Sequence, residues 1–346
     1  MKLSNFDYNL PPELIAKFPP EIRGTTRLLV LNRVTGEITH KHYSDLIDYL
    51  NPGDVLILND TKVIKARLIT SNRKGEPTEI FLLENHGQPD NPHTHTVIYR
   101  GKLKNQEILT IGRHEIIVEQ LNNDGTATIT SSADLNLLAD NLGQVPLPPY
   151  MKRRASVDDT ERYQTVFAKH PGSVAAPTAS LNMTEELLEK IKNKGISIHY
   201  LTLHVGLGTF MPIKTDDLTH HHMHSEYFQI PADTIKAIRQ AKTSGREVVA
   251  IGTTVTRALE FAHIDVLDSP LIDENRGVSG EANIFIYPGY EFKVIDKLVT
   301  NFHAPKSTVL MLTAAFAGWE HLKTAYDEAI QEEYSFLSYG DSMLIR

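Results

Sequence analysis

Over the first sixty residues, apolar and polar positions alternate in short bursts. Arg27–Asn32 (RLLVLN) and Glu37–Tyr43 read as strands on either side of the turn Arg33-Val34-Thr35-Gly36. Ser44 can cap a short helix through Leu50, which Asn51-Pro52-Gly53-Asp54 ends. Val55–Asn59 is an unbroken apolar strand. From Thr61 to about Ser132 the texture becomes strand after strand: Ala66–Thr70, Thr78–Leu83, Thr96–Tyr99, Glu107–Ile111, Glu115–Leu121 and Thr126–Thr130. Asn122-Asn123-Asp124-Gly125 is a hairpin turn, and Asn85–Pro92 is a loop rich in Gly, Asn and Pro. Short strands at this spacing predict a small β-barrel or sandwich. A helix over Ala133–Asn141 with Gly143 beyond it closes the segment, followed by the stiff connector Val145–Tyr150 (VPLPPY).

After Tyr150 the alternation of α and β resumes. The pattern predicts a helix over Asp158–Ala168 and another capped by Thr184, with Glu185 and Glu186 in its first turn and Gly195 at its end. Ile196–Val205 is a β-rich run. Helices are expected over Pro231–Thr243, Thr254–Ala262, Ser307–Phe316 and His321–Gln331, with the apolar strand Val248–Ile251 and a further β segment at Ile284–Tyr287. An apolar run between helices implies a strand covered on both faces, as in a mostly parallel sheet. The expected architecture is an α/β domain from residues 1–60 and 151–346, with a small β-barrel domain, 61–150, inserted into it.

Composition narrows the class. The chain has 346 residues, 41% hydrophobic and 23% charged, which suits a folded globular protein with a sizeable core. Its net charge of −8 argues against a broad basic coat for nucleic acid but leaves room for a local patch. There is no cysteine, which excludes disulfides, thiolate metal sites, iron–sulfur clusters and Cys nucleophiles, and suits a cytoplasmic protein. Met1–Asn9 lacks the apolar core of a signal peptide. The most apolar stretch, Val309–Ala317, is about half of the ~20 residues that span a bilayer, so no membrane association is expected.

Candidate chemistry sits in loops. His220-His221-His222-Met223-His224-Ser225-Glu226 is the densest polar run, material for an acid–base pair or a metal site, or a plain polar loop. Gly206 and Gly208 follow a strand, where backbone N–H groups could approach an anion, although tight-turn glycines explain them as well. Gly252-Thr253-Thr254 joins a buried strand to a helix that carries Arg257, a place where a carboxylate or phosphate could bind and where a Thr could equally be a helix cap. Asn59-Asp60-Thr61-Lys62, Thr300-Asn301-Phe302-His303 and Tyr339-Gly340-Asp341 complete a set of loops that could converge on one cleft.

In order along the chain, Leu56–Leu68 (LILNDTKVIKARL), Pro146–Tyr150 (PLPPY), Arg162–Ala168 (RYQTVFA), Ala175–Ala179 (AAPTA), Leu201–Phe210 (LTLHVGLGTF) and Met223–Tyr227 (MHSEY) carry a resemblance. Gly252–Thr254 with Arg257, Phe285–Tyr290 (FIYPGY), Thr300–Thr308 (TNFHAPKST) and Ser338–Asp341 (SYGD) extend it over essentially the whole chain. The sequence resembles the S-adenosylmethionine:tRNA ribosyltransferase-isomerase family of queuosine biosynthesis. The resemblance implies a six-stranded barrel inserted in an α/β domain. It implies transfer and isomerisation of the ribosyl part of S-adenosylmethionine onto 7-aminomethyl-7-deazaguanine at the wobble position of tRNA with a GUN anticodon, those for Asp, Asn, His and Tyr. Epoxyqueuosine forms; adenine and methionine leave. No metal or redox cofactor is implied, because S-adenosylmethionine is consumed as a co-substrate.

That chemistry needs a base beside the sulfonium, an acid for adenine departure and a group to deprotonate the acceptor's ammonium. His224, Glu226, His303, Asp60 and Asp341 are the candidate proton carriers. Glu226 could orient His224, two residues away on an extended segment. Thr254 and Arg257 could hold a carboxylate or phosphate, and Asn301, Tyr339, Gly206, Gly208 and Thr178 are the other candidate substrate contacts. Lys62, Arg67, Lys152, Arg153 and Arg154 would form the tRNA-binding strip near the domain junction. The chain departs from the family at APTAGLHF, where it has Ser180, Asn182 and Met183 in place of Gly, His and Phe. Loss of that His could remove a proton carrier, which an Asn cannot replace. Lys62 stands where an Arg is common, Lys65 where a Pro is common and Ser335 where an Arg is common. The expected protein is a cytoplasmic monomer. The competing readings are a relative acting on another nucleoside, a metal-dependent hydrolase using His220, His222 and His224, and an inactive RNA-binding module.

Overall fold

The computed structural model describes residues 1–83, 91–123, 125–206, 213, 215–221, 223–269 and 277–346. Strands β1 (Arg27–Leu31) and β2 (Ile38–His42) form the first hairpin, followed by a 3-10 helix over Tyr43–Tyr49 and strand β3 (Val55–Asn59). The short strand β4 (Thr61–Val63) leads into β5 (Arg67–Asn72), β6 (Pro77–Leu82), β7 (Thr94–Arg100), β8 (Ile108–Ile111), β9 (His114–Leu121) and β10 (Thr126–Ser131). These last six close into an antiparallel barrel in the order β10-β7-β6-β5-β8-β9. Period-two alternation explains it: Leu68, Ile80, Leu82, Val97, Ile116, Val118 and Ile129 all point inward. Helix α1 (Leu135–Leu142) packs Leu135, Leu138 and Ala139 against the same core. Its N-terminus is capped by Asp134, which accepts from the Asn136 and Leu137 N–H groups.

The remaining elements are α2 (Asp159–Arg162), β11 (His170–Ser173), α3 (Glu185–Asn193), β12 (Ser197–Leu203), β13 (Glu226–Ile230), α4 (Ala232–Thr243), β14 (Val248–Ile251), α5 (Thr253–Phe261), α6 (His263–Leu267), β15 (Val278–Ala282), β16 (Lys297–Asn301), α7 (Thr308–Ala317), α8 (Trp319–Gln331) and β17 (Ser342–Ile345). With β1, β2 and β3 they build a nine-stranded sheet in the order β15-β13-β12-β3-β14-β16-β17-β1-β2. Both faces of its central strands are buried. Leu29, Leu31, Val55, Ile57, Val248 and Ala250 join the core under α4, α5, α7 and α8. Leu28, Val30, Leu56, Leu58, Val249 and Ile251 join a second core under α3 and the 3-10 helix.

The sheet is not mostly parallel, as the apolar runs had predicted. β12, β3, β14 and β16 are parallel at its centre; β13 and β15 on one side, β17 against β16 and β2 against β1 pair antiparallel, while β17 and β1 are parallel. The edge strand β15 and the inner strands β13, β16 and β17 carry little sequence signal, and Ile284–Tyr287 is not a strand. The expected helix over Asp158–Ala168 shrinks to one turn. Beyond it the backbone finds other partners: Lys169 and His170 donate to the Asp60 carbonyl at 2.8 and 3.2 Å, and the Gln164 amide bonds both N–H and C=O of Val63. β11 then lies parallel to β4. Thr184 caps α3 as expected, and Ser307 caps α7.

Candidate functional site

The four parallel strands end on the same side, where a cavity of about 520 Å³ opens. Val205 lies just past β12, Gly252 just past β14 and Thr300 and Asn301 at the end of β16, and all line it. This is the usual ligand position of an open α/β sheet, because strand ends supply loops and helix N-termini. Asn59, at the end of β3, reaches the same place: its amide donates to Leu203 O at 2.9 Å and to Thr254 Oγ1 at 3.2 Å. Thr254, in the first turn of α5, lines the cavity. Gly252 allows the turn between β14 and α5, with φ +100°.

Of the proposed proton carriers, His303 alone lines this cavity. Its Nε2 lies 2.7 Å from Thr300 Oγ1. Its backbone is held by two tyrosines, with Tyr326 Oη accepting from the N–H and Tyr8 Oη donating to the carbonyl. Burial pushes its imidazole down to about 3, so it is neutral at physiological pH. Thr178 Oγ1 donates to Asn301 Oδ1 at 2.7 Å, and both line the wall. Sequence reasoning passed over a cluster of three hydroxyls on the same wall: Tyr150, Tyr163 and Ser338. Tyr150 and Ser338 bond to each other, while the buried Tyr163 Oη lies near Ser338 and the Ala176 backbone without a hydrogen bond of ordinary geometry. The available signal was their presence in the PLPPY, RYQTVFA and SYGD stretches.

The other candidates are placed differently. Glu226 and Arg257 form a buried ion pair, with side-chain exposures of 3% and 7%, and Gly206 N–H donates to the second carboxylate oxygen of Glu226 at 3.2 Å. Arg257 also donates to Ala282 O. The guanidinium is therefore already matched by a carboxylate, and Glu226 is turned to Arg257 rather than to His224, which lies exposed ahead of β13. Asp60 is buried off the cavity wall; Thr202 Oγ1 donates to it at 2.7 Å and His170 Nε2 lies 3.6 Å away. Burial raises its carboxyl above the usual range. Asp341 accepts from the backbone N–H groups of Arg27 and Ser335, both at 2.7 Å, and fastens β1 to the segment before β17. Tyr339 lies beneath the wall: its Oη donates to Asp159 at 2.8 Å and its ring meets Tyr163 edge-on. Gly208 and His222 lie outside the described residues. Among the described residues no group of three or more His, Asp or Glu could hold a metal ion.

A second hollow, about 450 Å³, adjoins the first through Pro149, which lines both. Arg67, Lys152, Arg153 and Arg154 line it, as does Arg100, which had not been singled out. Lys62 is exposed on β4 and does not belong to this lining. Arg153 is held by Asp159 at 2.6 and 2.7 Å and Arg67 by Glu79 at 2.6 Å, whereas Lys152 and Arg154 are exposed. The replaced residues Ser180, Asn182 and Met183 are all buried and line neither hollow. Asn182 donates to Gly340 O at 3.2 Å, and Met183 packs into the core under α3.

The family model described as "Queuosine biosynthesis protein" matches residues 3–345. The chain belongs to that family. A relative from Chlorobaculum parvum is 55% identical over 346 residues, and one from Chlorobium phaeovibrioides 54% over 351, each match covering 100% of both chains. Both are named S-adenosylmethionine:tRNA ribosyltransferase-isomerase. The crystal structure of S-adenosylmethionine tRNA ribosyltransferase from Thermotoga maritima is 36% identical, covers 99% of both chains and superposes with a TM-score of 0.56. Family membership makes this protein an enzyme, a transferase of queuosine biosynthesis that combines barrel and α/β sheet. Among the described residues, no helix is long and apolar enough to cross a membrane.

Proposed function

We propose that this enzyme transfers and isomerises the ribosyl moiety of S-adenosylmethionine onto 7-aminomethyl-7-deazaguanine at the wobble position of tRNA with a GUN anticodon. Epoxyqueuosine is the product, and adenine and methionine leave. The observation that carries this reading is the junction at Pro149: a cavity of nucleoside size opens beside a hollow lined by five basic residues, Arg67, Arg100, Lys152, Arg153 and Arg154. A polyanion in the second could present one nucleotide to the first. The full-length relatives named S-adenosylmethionine:tRNA ribosyltransferase-isomerase support the coarser part of this reading, ribosyl transfer from S-adenosylmethionine to tRNA.

On this reading the neutral His303 suits a cationic substrate. An imidazolium would repel the sulfonium, whereas a neutral ring can accept a hydrogen bond or proton beside it. Thr178, Asn301 and Thr254 supply polar contacts on the wall. Tyr150, Tyr163 and Ser338 supply hydroxyl donors for the charge that develops on a departing base. Asp60, Glu226, Arg257, Asp341 and Tyr339 act through the elements they fasten. Residues 61–150 form a domain of their own that contributes Arg67 and Arg100 to the tRNA surface. Turnover is independent of metal, and the enzyme works as a cytoplasmic monomer. The test is incubation with S-adenosylmethionine and tRNA bearing the aminomethyl-deazaguanine, followed by nucleoside mass spectrometry. Appearance of the epoxy nucleoside supports the reading. Recovery of unchanged nucleoside, or a product that forms only with added metal, counts against it.

A further inference from the structure

The outer face of the barrel carries an aromatic ring that belongs to no apolar core. Phe81 lies on β6 between Ile80 and Leu82, which fill the barrel interior; its own side chain points the other way. It is 7% exposed, yet it is absent from every core cluster. It lines the basic hollow instead. Arg67 is its cross-strand partner on β5. The Arg100 guanidinium lies over it from β7, with Cζ 5.5 Å from the ring centroid. Glu79, opposite Arg100 and two residues before Phe81, holds Arg67 at 2.6 Å and lies 3.9 Å from an Arg100 nitrogen. Arg100 thus has a ring and a carboxylate beneath it, while 58% of its side chain is exposed. A flat cation backed by an aromatic ring, in a cationic hollow, is a stacking surface for an unpaired base.

We propose that Arg100, laid over Phe81, is the seat for an RNA base next to the nucleotide being modified. This rests on the reading that the substrate is tRNA. A nucleotide drawn into the cavity at Pro149 leaves its neighbour without a stacking partner, and the guanidinium face replaces that partner. Arginine is required in this role, because an ammonium offers charge without a plane.

Binding of tRNA anticodon stem-loops to the full-length protein tests it, using wild type, Arg100→Ala and Arg100→Lys across a salt series. Both variants are expected to lose roughly 5- to 100-fold in affinity. Arg100→Lys should keep the wild-type salt slope. An abasic nucleotide beside the wobble position should weaken wild type by a similar factor and add nothing to the loss in Arg100→Ala. Full affinity in Arg100→Lys would reduce Arg100 to a phosphate counter-charge and overturn the seat. So would additive losses from the abasic site and Arg100→Ala, or unchanged binding by Arg100→Ala. Failure of wild type to bind tRNA would instead sink the functional reading itself. Melting temperatures of the variants, expected to match wild type, separate any loss of binding from misfolding.

Discussion

Asp159 grips Arg153 with both carboxylate oxygens, at 2.6 and 2.7 Å, in a setting where the acid is only 1% exposed. The same carboxylate accepts from the Ser156 N–H and hydroxyl and from Tyr339 Oη. These hydrogen bonds hold it well below the usual carboxylate range despite its burial. Arg153 is therefore a structural cation that faces the basic hollow. Lys152 and Arg154 beside it are the exposed charges.

Two outcomes follow for tRNA binding. Lys152→Ala with Arg154→Ala should lower affinity and reduce the salt slope by about 1–2, given about 0.7–0.9 per phosphate contact. Arg153→Ala should instead lower stability by about 3–5 kcal/mol, because it strands a buried carboxylate. Denaturant unfolding and salt-dependent binding measure the two separately. Equal slopes for wild type and the Lys152/Arg154 double variant would place the RNA elsewhere.

Glu226 and Arg257 present the same situation inside the sheet region. Glu226→Gln leaves the Arg257 guanidinium buried without its counter-charge and should destabilise by about 3–5 kcal/mol. His224→Gln, at an exposed position, should change stability by less than about 0.5 kcal/mol. A large, specific fall in kcat for His224→Gln, absent in His220→Gln, would mark His224 as a proton carrier.

Tyr163 offers a test in which stability and activity should move apart. Its hydroxyl is buried on the cavity wall without a hydrogen bond of ordinary geometry. Removing an unsatisfied hydroxyl relieves a desolvation penalty of about 1–3 kcal/mol, so Tyr163→Phe should melt at the wild-type temperature or above it. If a substrate supplies the missing partner, KM or kcat should worsen in the same variant. A lower melting temperature would mean that the hydroxyl bonds within the protein.

His303 sets a pH dependence whose sign can be worked out. Its folded-state value of about 3 lies below the ordinary 6.5, so below pH 6.5 the unfolded chain binds a proton that the folded chain refuses. Stability is then lost as pH falls, by up to about 1.4 kcal/mol per unit from this group, until pH approaches 3. Between pH 6.5 and 5, above most carboxylate titrations, wild type should lose stability faster than His303→Gln. Parallel losses would show an imidazole in contact with water.

The barrel was legible because each strand carries its own period-two pattern and ends in turn residues. The inner strands β16 and β17 were not. Lys297–Asn301 opens on a lysine, buried here by pairing with Glu247, and Ser342–Ile345 is only four residues long. The edge strand β15 reads VSGEA, with little apolar content to mark it. Gly252, Thr254, Asn301 and His303 reached the cavity because loops at the ends of parallel strands converge there. Asp341 and Glu226 looked equally chemical, but their partners Arg27 and Arg257 lie far away in sequence, and only folding reveals that their oxygens are occupied. Tyr163 stands in the polar run Arg162-Tyr163-Gln164-Thr165, and only folding reveals that its ring is fully buried and that it lines the cavity.

Where the chain enters and leaves the barrel, Arg67 and Gln144 exchange two backbone hydrogen bonds, at 3.1 and 2.8 Å. Beside them Gly143 comes so close to Lys65 that a Cβ would lie 2.1 Å from its carbonyl oxygen. To the rest of the protein the whole excursion is therefore a loop whose ends already touch. Because closure entropy grows only with the logarithm of loop length, sequence added inside it costs the sheet almost nothing. The barrel is free to lengthen its outer turns without disturbing the strand ends that line the cavity.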